Sequence, residues 1–531
     1  MDFGSSLTAP PGHDAPLEAR RAWKEAQRAN ISRAGYSRTH RRDGLRVPTR
    51  IGGLPEFESE VLRTYLSQVS ALRKFRDPAE IVRAAALAAL YATGRSVETL
   101  TGLRVTTIPL RSSVLDVAPG LVCKGGHWGW WLPAGGPEAE QTLEAAQASQ
   151  HQLTARNVWF PCGKQMKELT RRMLNARGVA WQHDGCRRLF PLEPVMLETL
   201  IREELRIVRL QSGSQITLGR VKGWLYDAVF VEVGNDHALA KLITGRRTPW
   251  DRAGGSYLSL PIETVAEIYV KAASTMDDFD EATRLPPELI RMSAGSRYRP
   301  LEDRLRSFAA CHIEALADRE LRRRSEIIKL HDAMTRYTLV MTALATGARH
   351  LRAIPSATQI DPATGFIALS DKRENRPELP VGYRTRLIWV CDEARQQITL
   401  YEAHLNALRR RYGVEFPPVG PDGLLPVCTL QETVDGTLRV QTLTPAALQK
   451  DLRDQGLNVR RNAGRHLLRS RLASRCPGEA IRAFMGHWEQ GVEPWAGDAA
   501  LDPVSYRRSM REIVPNTLLA LGFKPTHGLQ P

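Results

Sequence analysis

Two stretches of this chain read almost alike: LAALYATGRSVETL at 87–100 and VMTALATGARHLRAI at 340–354. Each is an alanine-rich apolar run stopped by Thr-Gly, with an arginine just beyond. Such a run predicts a buried helix, and a glycine past its end supplies the left-handed residue that terminates helices. A chain that does this once in each half reads either as two related helical units or as one such unit beside an unrelated helical domain. At 531 residues it exceeds one ordinary domain and suggests about three.

The local signals fill in a helical frame carrying a small antiparallel β-sheet, an α+β, multi-domain chain. Asp77 caps and Pro78 opens a helix to about residue 92. Short β runs follow at 103–110 and 128–132, then helical patterns at 164–177, 193–210 and 236–243. Residues 303–345 read as helical, and Asp361-Pro-Ala-Thr-Gly365 makes a turn between two β runs. Further helices are predicted at 392–412, 444–455, 463–475, 478–486 and from Pro503 to about Val514, the last capped by Asp502. The expected divisions are a basic arm and helical region at 1–76, a first folded domain at 77–273, a helical connection at 274–325 and a second folded domain with a C-terminal tail at 326–531.

Net charge is +16 with a pI near 9.8, and arginine far outnumbers lysine. Excess positive charge attracts polyanions, and the planar guanidinium grips phosphate oxygens in pairs. The apolar fraction of 42% is enough for real cores. No run approaches the ~18 apolar residues that span a bilayer, and the N-terminus lacks the order of a secretory signal. The expectation is a cytoplasmic, nucleoid-associated protein without membrane contact. Seven scattered cysteines argue against a disulfide framework. Cys123 with His127, and His183 with Cys186, are too far apart in sequence to form a zinc motif, so no metal is expected. The WGWW cluster at 128–131 reads as core.

Chemistry-bearing residues occur in a fixed order in the second half. Arg349 sits in ATGARHLRAI, and Lys372 at a turn after a β run. His466 and Arg469 form HLLR, whose spacing puts both on one helix face. His487 closes MGH at a helix end, and Tyr506 in SYRRSM is the only tyrosine after Tyr412. Taken singly, each has an ordinary structural use. Arg349 could complement a helix dipole, Arg373 or Arg376 rivals Lys372, His466 fits a core histidine, Arg469 belongs to an arginine run, and Tyr506 shares a stripe with Met510 and Ile513.

Together, over about 330–525, they resemble the tyrosine recombinase (phage integrase) family. That family carries an Arg in a TGxR-type box, a hairpin Lys, an HxxR pair, a His or Trp after glycine, and a nucleophilic Tyr. The first box departs from the family in having no carboxylate shortly after the arginine, and the loop EQGVEPWAGDAALD before Tyr506 is long. The resemblance implies that Tyr506 attacks a DNA phosphodiester to form a 3′-phosphotyrosyl enzyme, with no metal, cofactor or ATP. Arg349 and Arg469 would hold the charge developing on the phosphate. Lys372 would protonate the leaving 5′ oxygen, His466 would help deprotonate the phenol, and His487 would hydrogen-bond the phosphate.

The first half echoes this order. Lys124 precedes a Leu-Pro pair as Lys372 does, GRVKGWL at 219–225 parallels GRHLLRS at 464–470, and TGR at 244–246 parallels MGH at 485–487. Val221 and Trp224 then replace His466 and Arg469, and Arg95 falls one place short, as expected of a degenerate copy. The resulting expectation is a site-specific recombinase or integrase of a mobile element. Its partners would be double-stranded DNA, further copies of itself and companion recombinases. A type IB-like topoisomerase and a catalytically vestigial DNA-binding accessory protein are the alternatives. The apolar tail PNTLLALGF at 515–523 is expected to pack on a neighbouring protomer.

Overall fold

The computed structural model describes residues 53–72, 78–111, 113–136, 141–177, 187–246, 252–279, 285–317, 323–349, 353–370, 385–420, 423–460, 462–487, 494–495, 499 and 501–530. The basic arm at 1–50, Asp77, His183, Cys186 and Lys372 lie outside them. The described chain is mostly helical with small mixed and antiparallel sheets, an α+β architecture. No helix among the described residues is long and apolar enough to cross a membrane.

Two hydrophobic cores divide the chain, one from Leu62 to Ala294 joined by Ala473, the other from Leu305 to Leu529. The first contains α1 (Glu56–Ala71), α2 (Pro78–Thr93), β1 (Arg104–Ile108), β2 (Gly120–Lys124), β3 (His127–Pro133) and β4 (Asn157–Pro161). It continues with α3 (Lys164–Ala176), α4 (Pro194–Ser212), α5 (Leu218–Glu232), α6 (His237–Thr244) and α7 (Ile262–Ala273). Helix α2 lies at its centre, packed by α3, α4 and α5. Its run Ala84–Ala86, Ala88 and Ala89 is buried, and such small side chains let three neighbours approach at once.

The sheet of the first half has the order β4-β3-β2-β1, with the short strand Arg187–Arg188 on the outer side of β1. It is not wholly antiparallel as the sequence led us to expect. Strands β1 and β2 run parallel, Arg104 opposite Gly120, with a 3-10 turn at Val114–Asp116 before β2 instead of a hairpin. Trp130 and Trp131 are buried in β3, and Gly129 between them and Trp128 is obligatory. A Cβ there would sit 2.2 Å from the Trp159 ring.

The second core holds α8 (Glu302–Ala317), α9 (Arg324–Thr346), β5 (Ala353–Pro355), β6 (Phe366–Ser370), β7 (Thr385–Trp389) and α10 (Asp392–Tyr412). It continues with β8 (Leu424–Pro426), β9 (Cys428–Glu432), β10 (Leu438–Thr442), α11 (Pro445–Asp454), α12 (Ala463–Leu472), α13 (Gly478–Met485) and α14 (Pro503–Ala520). Its strands form three antiparallel pairs, β6 with β7, β8 with β5 and β9 with β10. Here α9 is central, contacted by α8, α10, α12 and α14. Through Leu305, Phe308 and Leu316, α8 is part of this core.

The two halves share an order of elements. A central helix closes on a left-handed glycine, Gly94 after α2 and Gly347 after α9. A β-hairpin lies further on (β2–β3 and β6–β7), and after intervening strands and helices comes a pair of helices of which the second again ends on a left-handed glycine (Gly245 after α6, Gly486 after α13).

Two expectations about the C-terminus fail. Helix α14 does not stop at Val514 but continues through Pro515 to Ala520. Proline removes one backbone hydrogen bond, and the buried Val514, Thr517 and Leu518 hold the helix across that gap. The tail beyond it docks on its own body. Phe523 and Leu529 are buried, the Lys524 carbonyl accepts from the Tyr337 hydroxyl (2.7 Å), and the Thr526 amide donates to Gln397 Oε1 (2.8 Å). Leu518, Leu521 and Phe523 prolong the apolar stripe of α14 into the second core, so packing in cis satisfies them.

Candidate active site

Two helix ends meet under the β6–β7 hairpin. The last carbonyls of a helix have no partner within it and carry the negative end of its dipole. Here those of α9 and α13 converge, since Gly347 is tight against Phe484: a Cβ on Gly347 would lie 2.9 Å from that ring. Two buried guanidinium groups satisfy them. Arg386 of β7 donates from Nη1 to the Thr346 and Phe484 carbonyls (2.9 and 2.6 Å) and from Nη2 to Gly347 (3.0 Å). Arg465 of α12 donates from Nη1 to the same Gly347 carbonyl (3.0 Å) and from Nη2 to Met485. Its Nη2 also lies 3.1 Å from His487 Nε2. Burying a cation costs several kcal/mol unless hydrogen bonds compensate, and these carbonyls do so.

Tyr506 occupies the first turn of α14, whose N-cap Asp502 accepts from the Val504 and Ser505 amides. Its ring is fully buried, with Phe366 stacked at 5.9 Å and Trp495 edge-on at 5.1 Å. Burial pushes the phenol well above its usual range, opposed in part by the nearby Arg386 charge and the backbone of Trp389. The Trp389 backbone is close, yet the hydroxyl makes no hydrogen bond of full geometry among the described residues. The charge of Arg386 thus acts on Tyr506, and Arg386 shares the Gly347 carbonyl with Arg465, which reaches His487.

The HxxR pair faces elsewhere. Helix α12 is buried almost all round because it is wedged between the halves. The Ser259 amide donates to Ser470 Oγ (3.0 Å), and the amide of Gly478, the first residue of α13, donates to the Gly234 carbonyl (2.7 Å). Arg469 places Nη2 on both carboxylate oxygens of Asp236 (2.6 and 2.8 Å), the residue that caps α6 in the first half. Its Nη1 is buried with no hydrogen-bond partner among the described residues. His466 puts Nδ1 2.8 Å from Ser296 Oγ, and its buried Nε2 has no such partner. Burial and the charges of Arg465, His151 and Arg460 hold this imidazole well below its usual range, so it is neutral.

Of the residues singled out from sequence, His487 and Tyr506 join the helix-end cluster, and Arg349 follows Gly347 half-buried beside it. His466 and Arg469 line the seam between the halves, and the structure does not bring them to Tyr506. Lys372 lies outside the described residues. Among the described residues no group of three His, Cys, Asp or Glu side chains could hold a metal.

Sequence reasoning missed Arg386 and Arg465. Arg386 shares the buried face of its strand with Ile388, and Arg465 shares the i, i+3, i+7 stripe of Leu468 and Leu472. An arginine on an apolar stripe was the available signal. Tyr257 was missed too. Its ring stacks on His487 (5.4 Å) and tilts against His466 (4.7 Å), with the Arg465 guanidinium 5.0 Å from its centre.

In the first half, the residues that the sequence echo pairs with this series are committed to the fold. Arg95 donates to the Pro133 and Ile243 carbonyls (2.8 and 3.0 Å), and Lys124 pairs with Glu288 (2.6 Å). Trp224 packs on Tyr91 at 4.6 Å. Comparison with protein-family models, curated protein sequences and solved structures gives no match to this chain.

Proposed function

We propose that this chain is a site-specific DNA strand transferase of the tyrosine recombinase type, serving a mobile element. One observation carries the reading. Three members of the motif series recognised in the sequence keep a buried polar atom without a full hydrogen bond among the described residues: Tyr506 Oη, His466 Nε2 and Arg469 Nη1. Buried polar atoms are normally satisfied, and an orphan costs about 1–3 kcal/mol. A phosphodiester oxygen can accept from Tyr506 Oη and Arg469 Nη1, and the neutral His466 Nε2 offers a lone pair for the phenol proton once DNA brings the groups together.

In the proposed reaction the Tyr506 oxygen attacks phosphorus and its phenol proton passes to a base, with His466 Nε2 the candidate. The 5′ oxygen leaves with a proton from Lys372. The P–O bond formed replaces the one broken, so rejoining is the same step reversed. Arg469 and Arg349 are the proposed phosphate clamp, with His487 as a further donor. The first half is proposed as a degenerate copy that closes the other side of a DNA clamp, and copies of the chain assemble on DNA.

The buried, protonated Tyr506 and the Arg469–Asp236 pair describe a closed resting arrangement, which DNA must open. The same two features favour a second reading, a DNA-binding accessory protein whose catalytic set is vestigial. Trapping separates them. A pool of nicked duplexes, in which the cleaved fragment diffuses away, should leave wild-type chain covalently bound to DNA on a denaturing gel. Tyr506→Phe should leave none. No adduct from wild type on DNA that it binds specifically would favour the accessory reading.

A further inference from the structure

His466 is held by a chain of hydrogen bonds that begins in the first half, and its direction can be worked out atom by atom. Gln141 Oε1 accepts the Arg297 amide (2.7 Å), and Gln141 Nε2 donates to the Ser256 carbonyl (3.0 Å). Those partners fix which end of the amide is oxygen, since an amide N–H only donates and a carbonyl only accepts. Ser296 Oγ lies 2.9 Å from that oxygen and must therefore donate its single proton to it. Having given its proton away, Ser296 Oγ can only accept from His466 Nδ1 at 2.8 Å, as it does from the Tyr298 amide at 3.2 Å. The imidazole proton is then on Nδ1, and Nε2 carries a bare lone pair.

We propose that Ser296 and Gln141 are positioning residues that lock His466 in its Nδ1–H tautomer, so that Nε2 is a ready proton acceptor. The role of that acceptor rests on the strand-transferase reading; the lock itself does not. Burial supports it from a second side, because the neutral ring required is the one that burial and the neighbouring Arg465, His151 and Arg460 favour. All three partners are deeply buried, and Tyr257 and Tyr298 pack against the ring at 4.7 and 5.5 Å, so the ring cannot turn over without displacing them. The device would also give the first half a chemical task. Its Gln141, with Ser296 from the junction, sets the protonation state of a residue in the second half.

The test is nitrogen NMR of the full chain with ring-labelled histidine, His466 being assigned by the signal lost in His466→Gln. Wild type should show a protonated-type Nδ1 and an unprotonated-type Nε2. Gln141→Leu frees the Ser296 hydroxyl to donate, so the proton should move to Nε2 and the two signals exchange types. Ser296→Ala should end the exclusive Nδ1–H state, and Ser296→Thr, which keeps the hydroxyl, should restore it. Orienting partners of a functional histidine are typically worth about 10- to 100-fold in activity, so Gln141→Leu should slow adduct formation by that factor. An Nε2–H tautomer in wild type, or an unchanged tautomer in both Gln141→Leu and Ser296→Ala, overturns the proposal. Absence of any adduct from wild type, with the tautomers as stated, overturns the strand-transferase reading and leaves the lock standing.

Discussion

Asp236 is expected to be among the most sensitive positions in the chain. Its carboxylate has two tasks at once. It receives Nη2 of Arg469 at 2.6 and 2.8 Å, and it caps α6 by accepting the Ala238 and Leu239 amides at 3.1 and 3.4 Å. Removing one partner of a buried ion pair strands the other charge and costs about 3–5 kcal/mol. Losing a cap adds about 1 kcal/mol. Asp236→Ala should therefore lower stability by about 4–6 kcal/mol in urea unfolding followed by tryptophan fluorescence. Asp236→Asn keeps the cap oxygen and should spare about 1 kcal/mol of that. Pairing Asp236→Asn with Arg469→Met removes both charges and should recover much of the loss, because a buried pair replaced as a pair is often near neutral. Screening hardly reaches a pair so deeply buried, so the cost of Asp236→Ala should persist in about 1 M salt. A loss below about 1 kcal/mol, or one abolished by salt, would refute the view that this pair bolts the halves together.

Other outcomes follow from the same geometry. Gly347→Ala places a Cβ at φ +58° and 2.9 Å from Phe484 and should cost about 1–3 kcal/mol by the same unfolding assay. Tyr506→Phe removes a hydroxyl that lacks a full hydrogen bond and should change stability by no more than about 1 kcal/mol; a larger loss would mean that the hydroxyl has a structural partner. His331 is buried, and desolvation lowers it to about 4, against 6.5 for the free side chain. Its contribution is complete above pH 6.5 and is lost as pH falls toward 4, because the unfolded chain then binds a proton that the folded one refuses. Asp277 and Asp332, raised to about 6 by burial, act in the opposite sense over part of that range. The clean readout is a difference: His331→Gln should remove about one proton from the slope of stability against pH between 6.5 and 4.

Much of this architecture was legible in the sequence. Helices α3, α4, α6, α10, α11 and α13 lie where periodicity and caps put them, since local signals suffice when an apolar stripe and an end signal coincide. The reading failed where partners distant in sequence decide. The β1–β2 pair is parallel, and the direction in which two strands pair is something periodicity cannot reveal. The continuation of α14 through Pro515 depends on burial that no local rule anticipates. At the site, motif order picked out Tyr506 and His487, while Arg386 and Arg465 belong to no motif and were not singled out. What makes them buried is the meeting of two helix ends, a tertiary event. The use of Asp236 against Arg469 was equally hidden, since the two lie in different halves and only the seam unites them.

The central claim is that Tyr506 forms the covalent bond to DNA, and peptide mass spectrometry of the trapped complex tests it most directly. A nucleotide-modified peptide carrying Tyr506, absent from Tyr506→Phe, is expected. A nucleotide attached to Tyr257, Tyr298 or any other residue, or a modified peptide that persists in Tyr506→Phe, would contradict it.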